Sequence, residues 1–407
     1  MTLDVIIVIT IFYFFFTNNY RIKYLYKIPI YLRIILFIFI SVVFLQMYNP
    51  YYYDIYTYIV GFRSYLLAIP IILIGYYFAK NRLLITQDMI KFILSLSIIT
   101  FFYAVFQLMT DYTLIVGTAM EFIAPMEHGV HSHGDQGVQL ASSLFASSKR
   151  FGHFLIIMYL IYVGISLSKN KKINFMIIIF FGVALIVSGA RESFVLFIFT
   201  NLILMIKFMR IKGWLLLSVV STVVIGLFVL YASDDLIFKI DFMLSEPGEY
   251  LRRIYQFLPF LYQDFNNPYM LFGLGVGKYG QEALLNPELL SLTYGMDKVF
   301  FHDSSFFSGA YGFMDSGLAK ISIELGFFGI SIYLLFLIYI LYLAIKNIIY
   351  LSEDKLKLSF SIFIITWTVY MMKAHPNISD IFMSYFLFFS IGYISYKEKM
   401  EFKYENN

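Results

Sequence analysis

Residues 317–345 read GLAKISIELGFFGISIYLLFLIYILYLAI, an apolar run whose charged residues, Lys320 and Glu324, both lie near its beginning. A helix needs about 20 mostly apolar residues to cross the hydrocarbon of a bilayer, so this stretch predicts a transmembrane helix. The whole chain has the same character, because 60% of its 407 residues are hydrophobic and 14% are charged. A soluble core cannot bury that much apolar surface, and the sequence therefore predicts an integral membrane protein.

Other apolar runs in the chain are close to the same length. They cover residues 3–18, 28–48, 57–79, 88–109, 151–168, 173–189, 192–209, 213–232, 358–373 and 378–396. Together with 317–345 they predict about eleven membrane-spanning helices. The predicted fold class is an all-α, polytopic membrane bundle divided into an N-terminal bundle of about eight helices (1–232), one large loop (233–316), and C-terminal helices with a short tail (317–407).

Basic residues gather in alternate connections between these runs. They are Arg21, Lys23, Lys27, Lys80, Arg82, Lys169, Lys171, Lys172, Lys207, Arg210, Lys212, Lys346, Lys355, Lys357, Lys397, Lys399 and Lys403. The positive-inside rule assigns that side to the cytoplasm, which predicts an outside N-terminus, a cytoplasmic C-terminus and an extracytoplasmic loop 233–316. The first run lacks a basic start and a small-residue cleavage site, so it is interpreted as a retained span. The absence of cysteine excludes disulfides and thiolate chemistry.

Two arginines close to predicted membrane boundaries need a partner. Arg191 lies in Ser188-Gly-Ala-Arg-Glu-Ser193, between two apolar runs, and Arg63 lies inside the outer end of the third span. A guanidinium near hydrocarbon is costly unless it faces water, a carboxylate or a phosphate. Bidentate binding of phosphate is the functional interpretation, and a structural pair with Glu192 or another carboxylate is the alternative.

Arg252 and Arg253 precede an aromatic run, residues 254–260, that is typical of a helix lying on the membrane surface. There the pair either binds a lipid diphosphate or contacts lipid head groups. Asp315, just before residues 317–345, is the best-placed general base, although an aspartate at this position also caps helices. His302 and Asp303 form a further acid and base pair in the same loop.

Two other patterns predict little chemistry. Residues 127–135, EHGVHSHGD, contain zinc-like donors, but the glycines and the lack of a rigid element argue against a metal site. The glycines of residues 273–277, GLGVG, follow no predicted strand and precede no Lys-Ser/Thr helix, so they predict a tight turn and not a phosphate loop. No metal or other cofactor is expected, and no nucleic acid partner.

An ordered series of weak motifs resembles the O-antigen polymerase (Wzy) and O-antigen ligase superfamily. The series comprises residues 144–152 (LFASSKRFG), 188–191 (SGAR), Arg252 or Arg253, 273–277 (GLGVG), and 315–318 (DSGL) followed by 324–329 (ELGFFG). It covers roughly the second two-thirds of the chain. Ligases of this superfamily carry a histidine where this chain has Asp315-Ser316, which makes a capsule, exopolysaccharide or O-antigen polymerase the better match.

The resemblance implies a GT-C-like bundle in the bacterial cytoplasmic membrane and a metal-independent glycosyltransferase. Its substrate would be a glycan on undecaprenyl diphosphate, polymerised at the outer face, with Arg191 and Arg252 or Arg253 binding the diphosphate. A chain-length regulator and a flippase are expected partners of such a polymerase, although no motif indicates either. The alternatives are ligation of the glycan onto a terminal acceptor, and a polysaccharide flippase or other transporter.

Overall fold

The computed structural model describes residues 26–49, 55–84, 86–110, 143–145, 148–169, 173–207, 271–273, 275–276, 317–350, 355–373 and 381–396, with residues 9 and 13. These residues form helices and connections, and no strand occurs among them. The helices are α1 (Ile30–Leu45), α2 (Ile55–Leu66), α3 (Ile71–Asn81), α4 (Gln87–Thr110), α5 (Ser148–Ser168), α6 (Phe175–Ser188), α7 (Arg191–Lys207), α8 (Gly317–Tyr350), α9 (Lys355–Lys373) and α10 (Ile381–Ser395), with a short 3₁₀ helix at Gln46–Tyr48.

Five helical stretches of the described residues are long and apolar enough to cross a membrane. They are Ile30–Tyr48, Gly61–Asn81, Asp88–Gln107, Arg150–Ser168 and Glu324–Tyr350. Shorter apolar helices occupy Phe175–Ser188, Ser193–Leu204 and Met383–Ser395. The prediction of an all-helical membrane protein is confirmed at this level. The predicted spans 3–18, apart from residues 9 and 13, and 213–232 lie outside the described residues.

The run predicted as a single third span, residues 57–79, is divided into α2 and α3 by a turn at residues 67–70. Pro70 has no amide hydrogen to donate, and its ring crowds the preceding turn of a helix. Around it the backbone uses shorter-range bonds: the amides of Ile71 and Ile72 donate to the carbonyls three residues earlier, both over 3.1 Å. The proline therefore explains why one apolar run contains two helices.

Local sequence also explains the bounds of α6. Asn174 precedes it, and its side-chain oxygen accepts a hydrogen bond of 3.0 Å from the amide of Met176, as helix N-caps do. Gly189 follows it in the left-handed conformation, at φ +65°, which ends the helix. The Ser188 hydroxyl accepts from the Ala190 amide over 3.2 Å, and α7 begins at the next residue, Arg191.

The chain divides into two compact units assembled from separate stretches. Unit 1 contains α1, α2, α3, α8, α10 and the segment 271–276. In it, glycines allow α3 and α10 to approach backbone to backbone: a Cβ added to Gly75 would collide with the carbonyl of Phe389, and one added to Gly392 with that of Ile72. Small residues at such crossings are typical of membrane helices, because apolar side chains gain little by leaving lipid.

Unit 2 contains α4, α5, α6, α7 and α9 as far as residue 370. Its central helix is α5, which is buried along nearly its whole length. Two glycines bring α5 close to its neighbours: Gly152 lies against Ala190 at the start of α7, and Gly164 lies against Ser359 of α9. The turn that introduces Arg191 is therefore packed directly on α5.

Candidate functional site

Helix α8 is broken at Gly326. This residue has φ +65° and ψ −165°, a combination that belongs to no helix and is nearly restricted to glycine. The break separates residues 317–325 from residues 327–350 within what the sequence predicts as one continuous span. Proline, the usual cause of a kink, is absent from this stretch, which indicates that residues packed against the helix cause the break.

A short piece of the large loop lies against this break. The amide of Gly275 donates a hydrogen bond of 3.0 Å to the carbonyl of Glu324. In an unbroken helix that carbonyl would accept from the amide four residues later, that of Phe328. The loop therefore supplies a backbone donor at the position where the helix departs from its own pattern.

Glycine is required on both sides of this contact. Gly273 has φ +78°, and a Cβ added to it would collide with the carbonyl of Glu324 and lie 2.6 Å from the amide nitrogen of Gly326. A Cβ on Gly326 would collide in turn with the amide of Gly273 and lie 2.5 Å from the carbonyl oxygen of Leu271. The two backbones touch where neither residue carries a side chain. Gly273 and Gly275, the described glycines of residues 273–277, thus pack the segment onto a helix.

The end of α1 holds the same loop segment from another side. Gln46 Nε2 donates to the carbonyl of Phe272 over 2.8 Å, and Asn49 Nδ2 donates to the carbonyl of Gly273 over 2.9 Å. Asn49 Nδ2 also donates to Gln46 Oε1 over 2.8 Å, so both of its hydrogens are used. Gln46 is 4% exposed and Asn49 7% exposed. Buried amides with satisfied hydrogen bonds fix the position of what they hold.

Two charged side chains of α8 are buried beside α2. Glu324 is fully buried and Lys320 is 4% exposed. Tyr65 of α2 contacts both: its hydroxyl donates to Glu324 Oε2 over 2.6 Å, and Lys320 Nζ lies 5.9 Å from the centre of its ring. Charged groups removed from water in a membrane protein require such partners, and they mark candidate functional sites.

We call this group of residues the kink cluster. Its members are Gln46, Asn49, Tyr65, Gly273, Gly275, Lys320, Glu324 and Gly326. They come from the end of α1, the last turns of α2, the large loop and the beginning of α8, all within unit 1. The cluster is closely packed and its side chains are buried, which suits it to hold the loop in place and not to react with a substrate directly.

The residues predicted as phosphate ligands are placed on separate elements where the structure describes them. Arg63 lies in the last turn of α2, partly buried, two residues before Tyr65 of the kink cluster. Arg191 is the first residue of α7, in unit 2. The structure describes the backbone position of Arg191, and its role as a phosphate ligand stays a prediction.

The remaining predicted site residues lie outside the described residues. These are Arg252, Arg253, His302, Asp303 and Asp315, together with the loop 127–135. Among the residues that the structure does describe, no group of three or more His, Asp or Glu side chains is arranged to hold a metal ion. The acid and base roles assigned to the loop residues are therefore still predictions.

The sequence does not predict most of the kink cluster. Glu324 and Gly326 belong to a motif without an assigned role, and no pattern singles out Gln46, Asn49 or Tyr65. One signal was available: Lys320 and Glu324 are charges four residues apart in a run long enough to span a membrane, a spacing that puts both on one helical face. Gln46 and Asn49 carried no comparable signal, because polar residues are ordinary at the end of a span.

The chain was also compared with known proteins. No protein-family model, curated protein or solved structure matches it.

Proposed function

We propose that this protein polymerises oligosaccharide repeat units carried on undecaprenyl diphosphate, at the outer face of the bacterial cytoplasmic membrane. The proposal includes a GT-C-like bundle of about eleven transmembrane helices with its N-terminus outside and its C-terminus in the cytoplasm. It rests on the motif series that resembles the O-antigen polymerase and ligase superfamily, and on one observation about how two of those motifs meet.

That observation is the contact between the glycine motif of residues 273–277 and the ELG motif at Glu324. The motifs are distant in sequence, yet the amide of Gly275 donates to the carbonyl of Glu324, and Gly273 packs on Gly326. Each motif alone is too short to identify a family. Their contact supports the proposal, because it gives a shared structural reason for both glycine patterns.

The proposed reaction transfers a growing glycan between two carriers. A sugar hydroxyl of one carrier-bound unit attacks the anomeric carbon of the glycan on the other carrier, and a new carbon–oxygen bond forms. The bond between the anomeric carbon and the diphosphate oxygen breaks, and undecaprenyl diphosphate leaves with the bonding electrons. Asp315 accepts the proton of the attacking hydroxyl.

Arginines would contribute most where charge develops. The leaving diphosphate gains negative charge in the transition state, so a guanidinium directed at it stabilises that state more than the bound substrate. Arg191 and one of Arg252 and Arg253 are proposed for this role, with Arg63 as a further candidate.

The test is analysis of the lipid-linked glycans in cells that lack the protein, by lipid extraction and mass spectrometry. A polymerase defect leaves single repeat units on the carrier. Long carrier-linked chains would instead indicate a ligase, and single units trapped on the cytoplasmic leaflet would indicate a flippase. Arg191→Ala should reproduce the polymerase defect at normal protein level, with Arg82→Ala, an exposed arginine after α3, as the matched control. Full-length polymer from the Arg191 variant would remove Arg191 from the proposed site.

One observation favours a second candidate, transport. Interrupted helices with buried charges form substrate and ion sites in many transporters, and α8 has a break at Gly326 beside the buried Glu324. Against transport, the carbonyl of Glu324 at the break accepts a hydrogen bond from the Gly275 amide, so this carbonyl already has a hydrogen-bond partner. The leaflet on which the units accumulate separates the two candidates.

A further inference from the structure

Gln46 and Asn49 hold the loop segment by its backbone. Their amide groups donate to two successive carbonyls, those of Phe272 and Gly273, over 2.8 and 2.9 Å. Two donors on neighbouring peptide groups determine both the position and the direction of a chain. Because the acceptors are backbone atoms, these two hydrogen bonds use no side-chain group of the loop.

The Gln46 and Asn49 amides act together with the helix break. The same segment donates from Gly275 to the carbonyl of Glu324, and Val276, the next residue, is only 3% exposed. Residues 271–276 therefore have polar partners on α1 and on α8. Removing the donors of α1 would take these hydrogen bonds from the buried carbonyl of Gly273 and the part-buried carbonyl of Phe272, which is costly, so the segment is expected to leave its place.

We infer that Gln46 and Asn49 are positioning residues of the proposed polymerase site, which hold the middle of the large loop against the break in α8. This inference rests on the proposed function for its catalytic consequence, but not for the anchoring itself. Neither residue lies in the part of the chain that carries the motif resemblance, which covers the second two-thirds.

The position of the anchored segment within the sequence explains why anchoring should affect the proposed reaction. Arg252 and Arg253 precede residues 271–276, and His302, Asp303 and Asp315 follow them. In the large loop predicted for residues 233–316, an anchor near the middle divides one loop into two shorter ones, and the entropic cost of closing a loop falls with its length. Anchoring should therefore raise the rate at which a bound unit reacts, more than it strengthens binding of that unit.

The anchoring can be measured without any assumption about the reaction. The chain has no cysteine, so Val276→Cys would introduce its sole thiol at a buried position. The rate of maleimide labelling of this purified variant in detergent reports how often the segment leaves its place. Gln46→Glu and Asn49→Asp, each added to this background, keep the size of the side chain but replace the donating amide by an oxygen.

The matched control is Asn81→Asp. Asn81 Nδ2 donates over 2.9 Å to the carbonyl of Tyr77 within its own helix, on an exposed face of unit 1. We expect the labelling rate to rise about tenfold or more for Gln46→Glu, which loses one hydrogen bond, and for Asn49→Asp, which loses two, and to stay unchanged for Asn81→Asp. An unchanged rate in the first two variants would overturn the anchoring.

The positioning role is measured separately, with the otherwise native variants and purified carrier-linked units. We expect kcat to fall for Gln46→Glu and Asn49→Asp with a smaller change in KM, and polymer in cells to fall at equal protein level. Rapid labelling with unchanged kcat would overturn the positioning role. The variants could be labelled rapidly while cells that lack the protein accumulate no single repeat units. That combination would refute the proposed function and leave the anchoring supported.

Discussion

The hydroxyl of Tyr65 donates a hydrogen bond of 2.6 Å to Glu324 Oε2, and both side chains are buried. The bond joins α2 to the first part of α8, two residues before the break at Gly326. Hydrogen bonds to a charged acceptor are roughly twice as strong as those between neutral groups. This contact therefore helps to fix the short N-terminal part of α8, together with the hydrogen bond from the Gly275 amide to the Glu324 carbonyl.

Tyr65→Phe should lower the stability of the protein measurably. It removes the donor and leaves a buried carboxylate with one hydrogen bond fewer, which costs about 1.5–3 kcal/mol. The measurement is thermal unfolding in detergent. Tyr58→Phe is the matched control on the same helix, because the Tyr58 hydroxyl makes a longer bond of 3.3 Å to a neutral acceptor, the carbonyl of Val43. Equal losses in the two variants would contradict the special role of Tyr65.

Lys320 and Glu324 should depend on each other energetically. They are four residues apart on α8, buried, and in contact with the same tyrosine. Lys320→Met and Glu324→Gln should each destabilise the protein, because each removes the opposite charge that lies four residues from the remaining buried charge on the same helix. The double variant should cost less than the sum, with a coupling of about 0.5–3 kcal/mol by thermal unfolding. Additive losses would show that the two charges do not interact.

Gly326→Ala should release the loop segment. The new methyl group would collide with the amide of Gly273, and alanine does not adopt the φ and ψ of this residue without strain. In the Val276→Cys background we expect rapid maleimide labelling. Gly75→Ala is the control: it disturbs the packing of α3 on α10 and should lower stability without exposing residue 276. Slow labelling of the Gly326 variant would show that the break does not need this contact.

Gly152→Val should reduce polymer more than Gly164→Val does. Both glycines lie on α5 at close helix contacts, so both variants overpack the bundle, at about 1–3 kcal/mol. Only Gly152 packs on Ala190, the residue immediately before Arg191, whereas Gly164 packs on Leu356 and Ser359 of α9. The measurement is polymer yield normalised to protein level. Equal yields would argue against a requirement for the placement of Arg191.

The elements that the sequence predicts well are those whose cause is local. The run 88–109 is helical over Gln87–Thr110, and the run 173–189 over Phe175–Ser188, because apolar length, an Asn cap and a terminal Gly act within a few residues. The run 57–79 overlaps a stretch long enough to span a membrane, Gly61–Asn81, and the turn that divides it into α2 and α3 also has a local cause, Pro70.

The kink cluster was not predictable in the same way. Gln46 and Asn49 have the same sequence appearance as any polar residues that follow a span, and their role depends on Phe272 and Gly273, more than two hundred residues later. Glu324 stood out as a charge in an apolar run, but its partner Tyr65 is one tyrosine among 35. No rule of sequence spacing selects it.

That the chain contains helices long and apolar enough to span a membrane follows from its sequence, because the free energy of transferring apolar side chains out of water adds up along each run and needs no tertiary partner. The break in α8 has a different origin. Glycine at position 326 permits φ +65° but equally permits a helix, and glycine at position 273 permits many turns. Only the tertiary structure brings the two backbones together, and the contact selects the one conformation in which Gly275 donates to the carbonyl of Glu324.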